Sequence, residues 1–263
     1  MADDSKSPQG ALEHSVRTAA IWDSVVAALS QREQQMGRPL RVVDLGGGAG
    51  GLAVPVAALG HHVTVVDPSP NALASLAQWA SEQGVQERIS SMQGDSDSLA
   101  DVVEPGQADF VSCHGTLEHI DDPRAAIIAL AGVLAEGGVL SLVVAQRLGT
   151  VVSRALAGRF DEAKRSLLSD DGRWGDGDPL QRRFDAAHIA ELLAGAGLEI
   201  VDAEGVRLFG DLVPASMLDS EHDRMALLDL ERTIAAHPSS THLAHIGAAL
   251  HVLARRVGTD EGE

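Results

Sequence analysis

A short apolar run, Arg41-Val-Val-Asp-Leu45, stops abruptly at five glycines in six residues, Gly46 to Gly51, and an alanine-rich stretch to Leu59 follows. Gly46, Gly48 and Gly51 satisfy the pattern G-x-G-x-x-G. Glycine is needed where backbone must approach a ligand closely or take positive φ, so this stretch reads as strand, phosphate- or nucleotide-binding turn, helix. His61 to Val66 reads as a second strand, and it ends at Asp67, 19 residues after Gly48. A carboxylate at that place can accept hydrogen bonds from both hydroxyls of a ribose; the alternative is a helix cap before Pro68. Dinucleotide dehydrogenases share these features, so at this point either nucleotide class fits.

The alternation continues downstream. Asn71 to Gln83 reads as a helix, Ile89 to Gln93 and Ala108 to Cys113 as strands three and four, and Asp121-Asp-Pro123 as the start of a helix ending around Glu136-Gly-Gly138. Val139 to Ala145 is apolar enough for a central fifth strand. Strands and helices in this alternation imply parallel βαβ units. Before them, Ala11 to Gln35 is helical in pattern, with Val16, Ala20, Trp22, Val26 and Leu29 near one side. After them come one or two short helices in Arg147 to Leu168, a loop from Ser169 to Asp178, a helix from Asp185 to Ala194, an extended segment from Leu198 to Phe209, a helix from Met217 to Ala236 and a last strand from His245 to Arg255. No linker divides the chain. Residues 1–10 and 258–263 read as disordered tails around one domain, 11–257, with a cofactor-binding core at about 40–145 and a substrate-capping and C-terminal sheet region at about 146–257.

Three further motifs narrow the ligand. Asp44 stands two residues before the first glycine, Gly94-Asp95-Ser96 follows strand three, and Asp109-Phe-Val-Ser-Cys-His-Gly-Thr-Leu117-Glu118-His119 runs from strand four into a short loop. With Leu134-Ala-Glu-Gly137-Gly138 before strand five, the chain resembles the class I S-adenosylmethionine-dependent methyltransferases over about residues 40–145. The resemblance implies a Rossmann-like α/β fold: a seven-stranded, mostly parallel sheet with helices on both faces, an N-terminal helix and a helical insertion after strand five. It implies S-adenosyl-L-methionine as cofactor.

The flanks support a closer resemblance. Ser15-Val-Arg-Thr-Ala-Ala-Ile-Trp22, Cys113-His114-Gly-Thr-Leu-Glu118, Ala157-Gly-Arg-Phe-Asp161, Gly205-Val-Arg207-Leu-Phe209-Gly-Asp211 and His251-Val-Leu-Ala-Arg255, in this order, are similar to the bacterial family that methylates carboxymethoxyuridine at the tRNA wobble position. That resemblance implies a cofactor site of Arg17, Asp44, Gly46, Gly48, Asp67, Asp95, Ser96 and His114. Arg17 would pair with the methionine carboxylate; by sequence alone it reads as an exposed helix arginine, and His114 reads equally as a buried, hydrogen-bonded histidine. One departure weakens the RNA assignment: where a lysine-rich tract is expected, the chain has Ser169-Asp-Asp-Gly-Arg-Trp-Gly-Asp-Gly-Asp178. A different tRNA, or a small carboxylic acid, stays open as acceptor.

A carboxylate acceptor is already anionic at pH 7 and needs no general base, which suits a chain without tyrosine. It needs cations instead. Arg147, Arg154, Arg182, Arg183 and Arg207 lie in the capping segments, and Arg207, in the matching Gly-Val-Arg motif, is the candidate for the acceptor; otherwise it is an edge-strand surface charge. Twenty Lys/Arg against 38 Asp/Glu give a net charge of −18, which disfavours unassisted nucleic-acid binding but leaves room for a local basic patch. The lone Cys113 fits a reducing, cytoplasmic setting. No run is long enough to span a bilayer, and the acidic, polar start is unlike a secretory signal. The late histidines, His237, His242, His245 and His251, lack metal-ligand spacing, and no metal is expected. A nicotinamide-dependent dehydrogenase and a non-catalytic cofactor-binding protein are the competing classes.

Overall fold

In the computed structural model, which describes residues 19–237 and 243–258, the chain opens with helix α1 (Ala19–Met36) and strand β1 (Arg41–Leu45). Helix α2 (Ala53–Ala58), β2 (His62–Asp67), α3 (Pro70–Glu82), β3 (Ile89–Gln93), the single turn α4 (Leu99–Val102), β4 (Ala108–His114), α5 (Pro123–Val133) and β5 (Leu134–Ala145) follow. Then come α6 (Arg147–Leu156), α7 (Phe160–Leu168), α8 (Ala186–Gly195), β6 (Leu198–Val206), α9 (Glu221–Ala236) and β7 (Ala249–Arg256). The seven strands form one mostly parallel sheet in the order β3-β2-β1-β4-β5-β7-β6.

Register brings the ends of four strands level. Leu45 is level with Val66 across β1 and β2, Asp67 with Gln93 across β2 and β3, and Asp44 with Ser112 across β1 and β4, all parallel. The loops after these four strands therefore leave the sheet at one edge. Strand order reverses between β1 and β4, and ligands of open α/β sheets bind at the strand ends beside such a switch point. The strands are buried where sequence makes them apolar: Val42, Val43, Leu45, Val65, Val66, Phe110 and Val111 are nearly inaccessible.

Several boundaries and faces differ from expectation. The buried side of α1 is Ala19, Trp22, Val25 and Leu29, one residue off the expected Val26; spacings of three and four close a helical stripe equally well, and neighbouring apolar residues leave the phase open. Strand β5 begins at Leu134, so Glu136-Gly-Gly138 lies inside a strand and not at a helix end. Helix α9 begins after Ser220, whose hydroxyl accepts the Asp223 amide at 3.1 Å; Ala215–Met217 is a separate 3-10 turn. The last strand starts at Ala249, after a 3-10 turn at Leu243–Ile246. His242 lies outside the described residues.

The acid-rich stretch 169–178 is an organised loop. Asp178 is buried and receives both Nη groups of buried Arg183, and its Oδ2 and Oδ1 also accept the Trp174 and Leu180 amides at 3.0 and 3.1 Å. Burial raises the Asp178 carboxyl, but the Arg183 hydrogen bonds and these amides outweigh it and hold it below the usual carboxylate range.

Backbone contacts group the chain into two compact units. Among the described residues, one comprises Val26–Leu142, Ala190–Asp202 and 252–258; the other comprises 19–25, Val143–Ile189 and the described part of Ala203–His251. Each is assembled from separate stretches, so no single cut in the sequence isolates either.

Candidate active site

The first unit carries the glycine turn. Gly46 has φ 73°, and a Cβ there would overlap Thr116 Oγ1, whose hydroxyl is held 3.3 Å from the Leu45 carbonyl. The third left-handed glycine is Gly50, φ 90°, packed on Leu76, and not the motif's Gly51. A Cβ added to Gly48 would meet nothing closer than Asp67 Oδ2, 3.9 Å off, so backbone there is open on that side.

Asp67 is buried at the end of β2. Its Oδ2 accepts the Gly48 amide at 2.9 Å and its Oδ1 the Ser69 amide at 2.8 Å. Helix α3 is capped by Ser69, whose Oγ accepts the Ala72 amide at 3.3 Å, so capping is not the work of Asp67. A carboxylate has about four acceptor positions, and these two bonds leave capacity on both oxygens for a diol.

Asp95 and Ser96 lie one loop further along the same edge. Asp95 is exposed; its Oδ1 accepts the Asp97 and Ser98 amides, both at 3.1 Å, and the Ser98 hydroxyl at 3.0 Å. The Ser98 amide and hydroxyl hold this carboxyl below the usual range. Oδ2 takes no part in that turn. Ser96 is buried, with Oγ 3.4 Å from Asp97 Oδ1. His114 closes β4, half-buried, with Nε2 2.8 Å from Oγ of buried Ser141 on β5. Arg17 lies outside the described residues.

Asp44 sits beneath the turn: a Cβ on Gly47 would overlap its Oδ2. Oδ1 accepts the Ser112 hydroxyl at 2.6 Å, while buried Oδ2 has no hydrogen-bond partner among the described residues. Burial, reinforced by the charge of Asp67 and only partly offset by Ser112, pushes this carboxyl from 3.8 up to about 6. A carboxyl whose pKa is higher folded than unfolded holds its proton more tightly when folded. It therefore favours the folded state most below about pH 4 and loses that advantage as pH rises towards 6, about 3 kcal/mol in all. Asp44→Asn keeps an acceptor for Ser112 and cannot ionise. Urea unfolding of ligand-free protein at steps from pH 4 to 7 should show wild type losing about that much stability relative to the variant; a gap that stays constant with pH contradicts this.

Sequence reading did not single out Asp109 as a clamp. It is fully buried and takes two hydrogen bonds from Arg38, at 2.8 and 3.0 Å, and one from the Arg41 amide at 2.8 Å, tying the start of β4 to that of β1.

The other unit carries the candidate arginines. Arg147 bonds Asp185 at 2.9 Å and the carbonyls of Ser169 and Asp170. Arg154 pairs with Glu162 at 3.0 Å and lies over the Trp174 ring, 4.1 Å from its centroid. Arg183 is committed to Asp178. These three hold the fold of their own region. Arg207 differs. It is the sole described non-glycine residue with positive φ, at 60°, and its side chain, about one-third exposed (34%), pairs with Asp211. The turn behind it is stapled by buried Glu231 of α9, whose Oε1 accepts the Phe209 and Gly210 amides, each at 2.9 Å. No sequence motif marked Glu231.

Residues 12–203 match a family model described as a methyltransferase domain. Over 96% of this chain and 92% of its own length, the tRNA 5-carboxymethoxyuridine methyltransferase of Escherichia coli is 30% identical. A ubiquinone biosynthesis O-methyltransferase from Xanthomonas euvesicatoria is 33% identical over 63% of this chain and 65% of its own. Among solved structures, an S-adenosylmethionine-dependent methyltransferase from Mesorhizobium loti superposes with a TM-score of 0.60 at 18% identity, covering 95% of this chain and all (100%) of the other. The magnesium protoporphyrin IX methyltransferase of Synechocystis, with bound SAH, gives 0.57 at 19% identity, covering 91% and 85%.

Proposed function

The chain belongs to the methyltransferase-domain family, with a tRNA 5-carboxymethoxyuridine methyltransferase as a full-length relative, and from that membership we propose that it transfers methyl from S-adenosyl-L-methionine to the carboxylate oxygen of a modified wobble uridine in tRNA. The family sets the dehydrogenase reading aside. The observation that carries the cofactor half is the register of β1, β2, β3 and β4, which levels the glycine turn, Asp67 and the Asp95 loop at one edge.

The residues fit the cofactor. Spare acceptor capacity on Asp67 suits the ribose hydroxyls, open backbone at Gly48 suits close approach, and Oδ2 of Asp95 suits the adenine amino group. Gly46, Ser96 and His114 are the further residues assigned to the cofactor in this reading, and Arg17 is the proposed partner of the methionine carboxylate. Unpartnered Asp44 Oδ2 places a carboxyl under the turn, where a cationic ligand lowers its pKa. S-adenosylmethionine supplies a methyl carbon already activated by a sulfonium. The protein's part is to align the acceptor with that carbon and exclude water. An anionic acceptor needs no base, and Arg207 offers a planar donor fork to hold it.

Mass spectrometry of tRNA nucleosides from cells with and without the protein tests this. The protein should convert a carboxymethoxyuridine into its methyl ester, and the product should revert in mild alkali. An unchanged nucleoside profile overturns the tRNA assignment, and an alkali-stable methyl product overturns ester formation. A small carboxylic acid is the second reading, because a net charge of −18 disfavours unassisted binding of a polyanion such as tRNA far more than of a single carboxylate. Salt separates the two: activity on tRNA should fall steeply with ionic strength through counterion release, and activity on a small acid only slightly. A tRNA acceptor puts the reaction in the cytoplasm; among the described residues no helix is long and apolar enough to cross a membrane.

A further inference from the structure

The charge of this chain is unevenly placed. Residues 147–183 hold eight Lys/Arg and six Asp/Glu, a net of +2, and the remainder holds twelve against 32, a net of −20. The same segment exposes large apolar side chains on consecutive helices: Leu156 of α6 at 71%, Phe160 at 70% and Leu168 at 69% on α7. The three most exposed large apolar side chains among the described residues thus fall within one stretch of α6 and α7, a concentration that suits an interaction surface.

The segment is braced from within. Arg154 ties α6 to Glu162 of α7 and covers Trp174, Arg147 holds the carbonyls that open the 169–178 loop, and the Ser166 hydroxyl donates to the Gly172 carbonyl at 2.7 Å. Those arginines are spent on architecture. Lys164, Arg165 and Arg173 make no ion pair among the described residues, and they line one depression of about 710 Å³ between α7 and the loop. Asp161, Asp171 and Asp176 share it, so charge alone gives a weak hold on a polyanion, and apolar contacts must add to it.

We propose that α6, α7 and the 169–176 loop form the surface that receives the single-stranded part of an RNA acceptor, with Phe160 stacking on an unpaired base and Lys164, Arg165 and Arg173 facing phosphates. This rests on the tRNA reading above. Single-stranded RNA offers both chemistries the surface presents, flat apolar faces and spaced negative charge, and proteins recognise it through aromatic stacking beside cations. For an acidic chain that must hold RNA, a segment of net +2 opposes the approach less than the remainder at −20 does.

The test uses the full-length protein and a fluorescent anticodon stem-loop RNA, followed by anisotropy over a range of salt. Phe160→Ala should weaken RNA binding about 10-fold, within the range of one lost stacking contact. A Lys164→Glu, Arg165→Glu double variant should weaken it at least as much and flatten the slope of log affinity against log salt by about 1.4, at roughly 0.7 per phosphate contact. Both changes lie at exposed positions, and unchanged S-adenosylmethionine affinity reports an intact fold. If wild type methylates tRNA and both variants bind RNA as wild type does, the surface is misassigned. If wild type neither binds nor methylates tRNA, the tRNA reading itself fails. If the variants keep RNA affinity but lose binding to phosphatidylglycerol vesicles, or lose self-association in sedimentation, the face serves a membrane or a second copy and the proposal is overturned.

Discussion

Asp67→Ala is expected to bind S-adenosylmethionine at least about 100-fold more weakly than wild type. Each carboxylate oxygen already anchors one backbone amide, Gly48 on one side and Ser69 on the other. The substitution therefore removes the ribose acceptors and the brace on the glycine turn together. Hydrogen bonds to a charged group contribute about 1.5–3 kcal/mol each, and two at the lower figure correspond to a little over 100-fold. Asp67→Asn keeps one acceptor oxygen and should fall between. Calorimetric titration gives the affinities and urea unfolding the control: wild-type affinity in a stably folded Asp67→Ala protein removes this residue from the site.

Arg207→Ala should lower kcat/KM for the acceptor by about 30- to 100-fold and leave cofactor affinity unchanged. Truncating one member of a charge-assisted pair costs about 2–5 kcal/mol when buried, and an arginine one-third exposed belongs at the low end. Its backbone separates function from folding. A side chain at φ 60° is strained, and glycine is not. Arg207→Gly should therefore be at least as stable as wild type and as poor an enzyme as Arg207→Ala. Arg207→Lys keeps the charge but not the planar fork and should recover only part of the activity. Normal acceptor kinetics in the glycine variant would falsify the assignment of Arg207.

The chain's local grammar was readable where structure depends on neighbours in sequence. The bounds of β1 and β3 are those expected, and the turn after β1 sits where five glycines permit it. What escaped was set at long range. Glu136-Gly-Gly138 resembles a helix stop, yet it lies within β5, because sheet pairing overrides local preference. Composition marks 169–178 only as an acid-rich loop, but Asp178 within it is buried and paired with Arg183, a pairing visible only once both side chains are placed. The choice between Gly50 and Gly51 depended on where Leu76 of α3 packs. Glu231 stands more than twenty residues from the turn it staples, and nothing in its own surroundings announces that role.

The position of β7 has a consequence for synthesis. β7 lies between β5 and β6, yet it is made about 100 residues after β5, whose twelve-residue run includes buried Leu140, Leu142 and Val144. At translation speeds of about 5–20 residues per second, the flank of β5 waits roughly 5–20 s for its neighbour. An unpaired apolar edge held open that long invites pairing with other chains, so the yield of soluble protein should depend on holdase chaperones and on the pace at which ribosomes deliver residues 146–248.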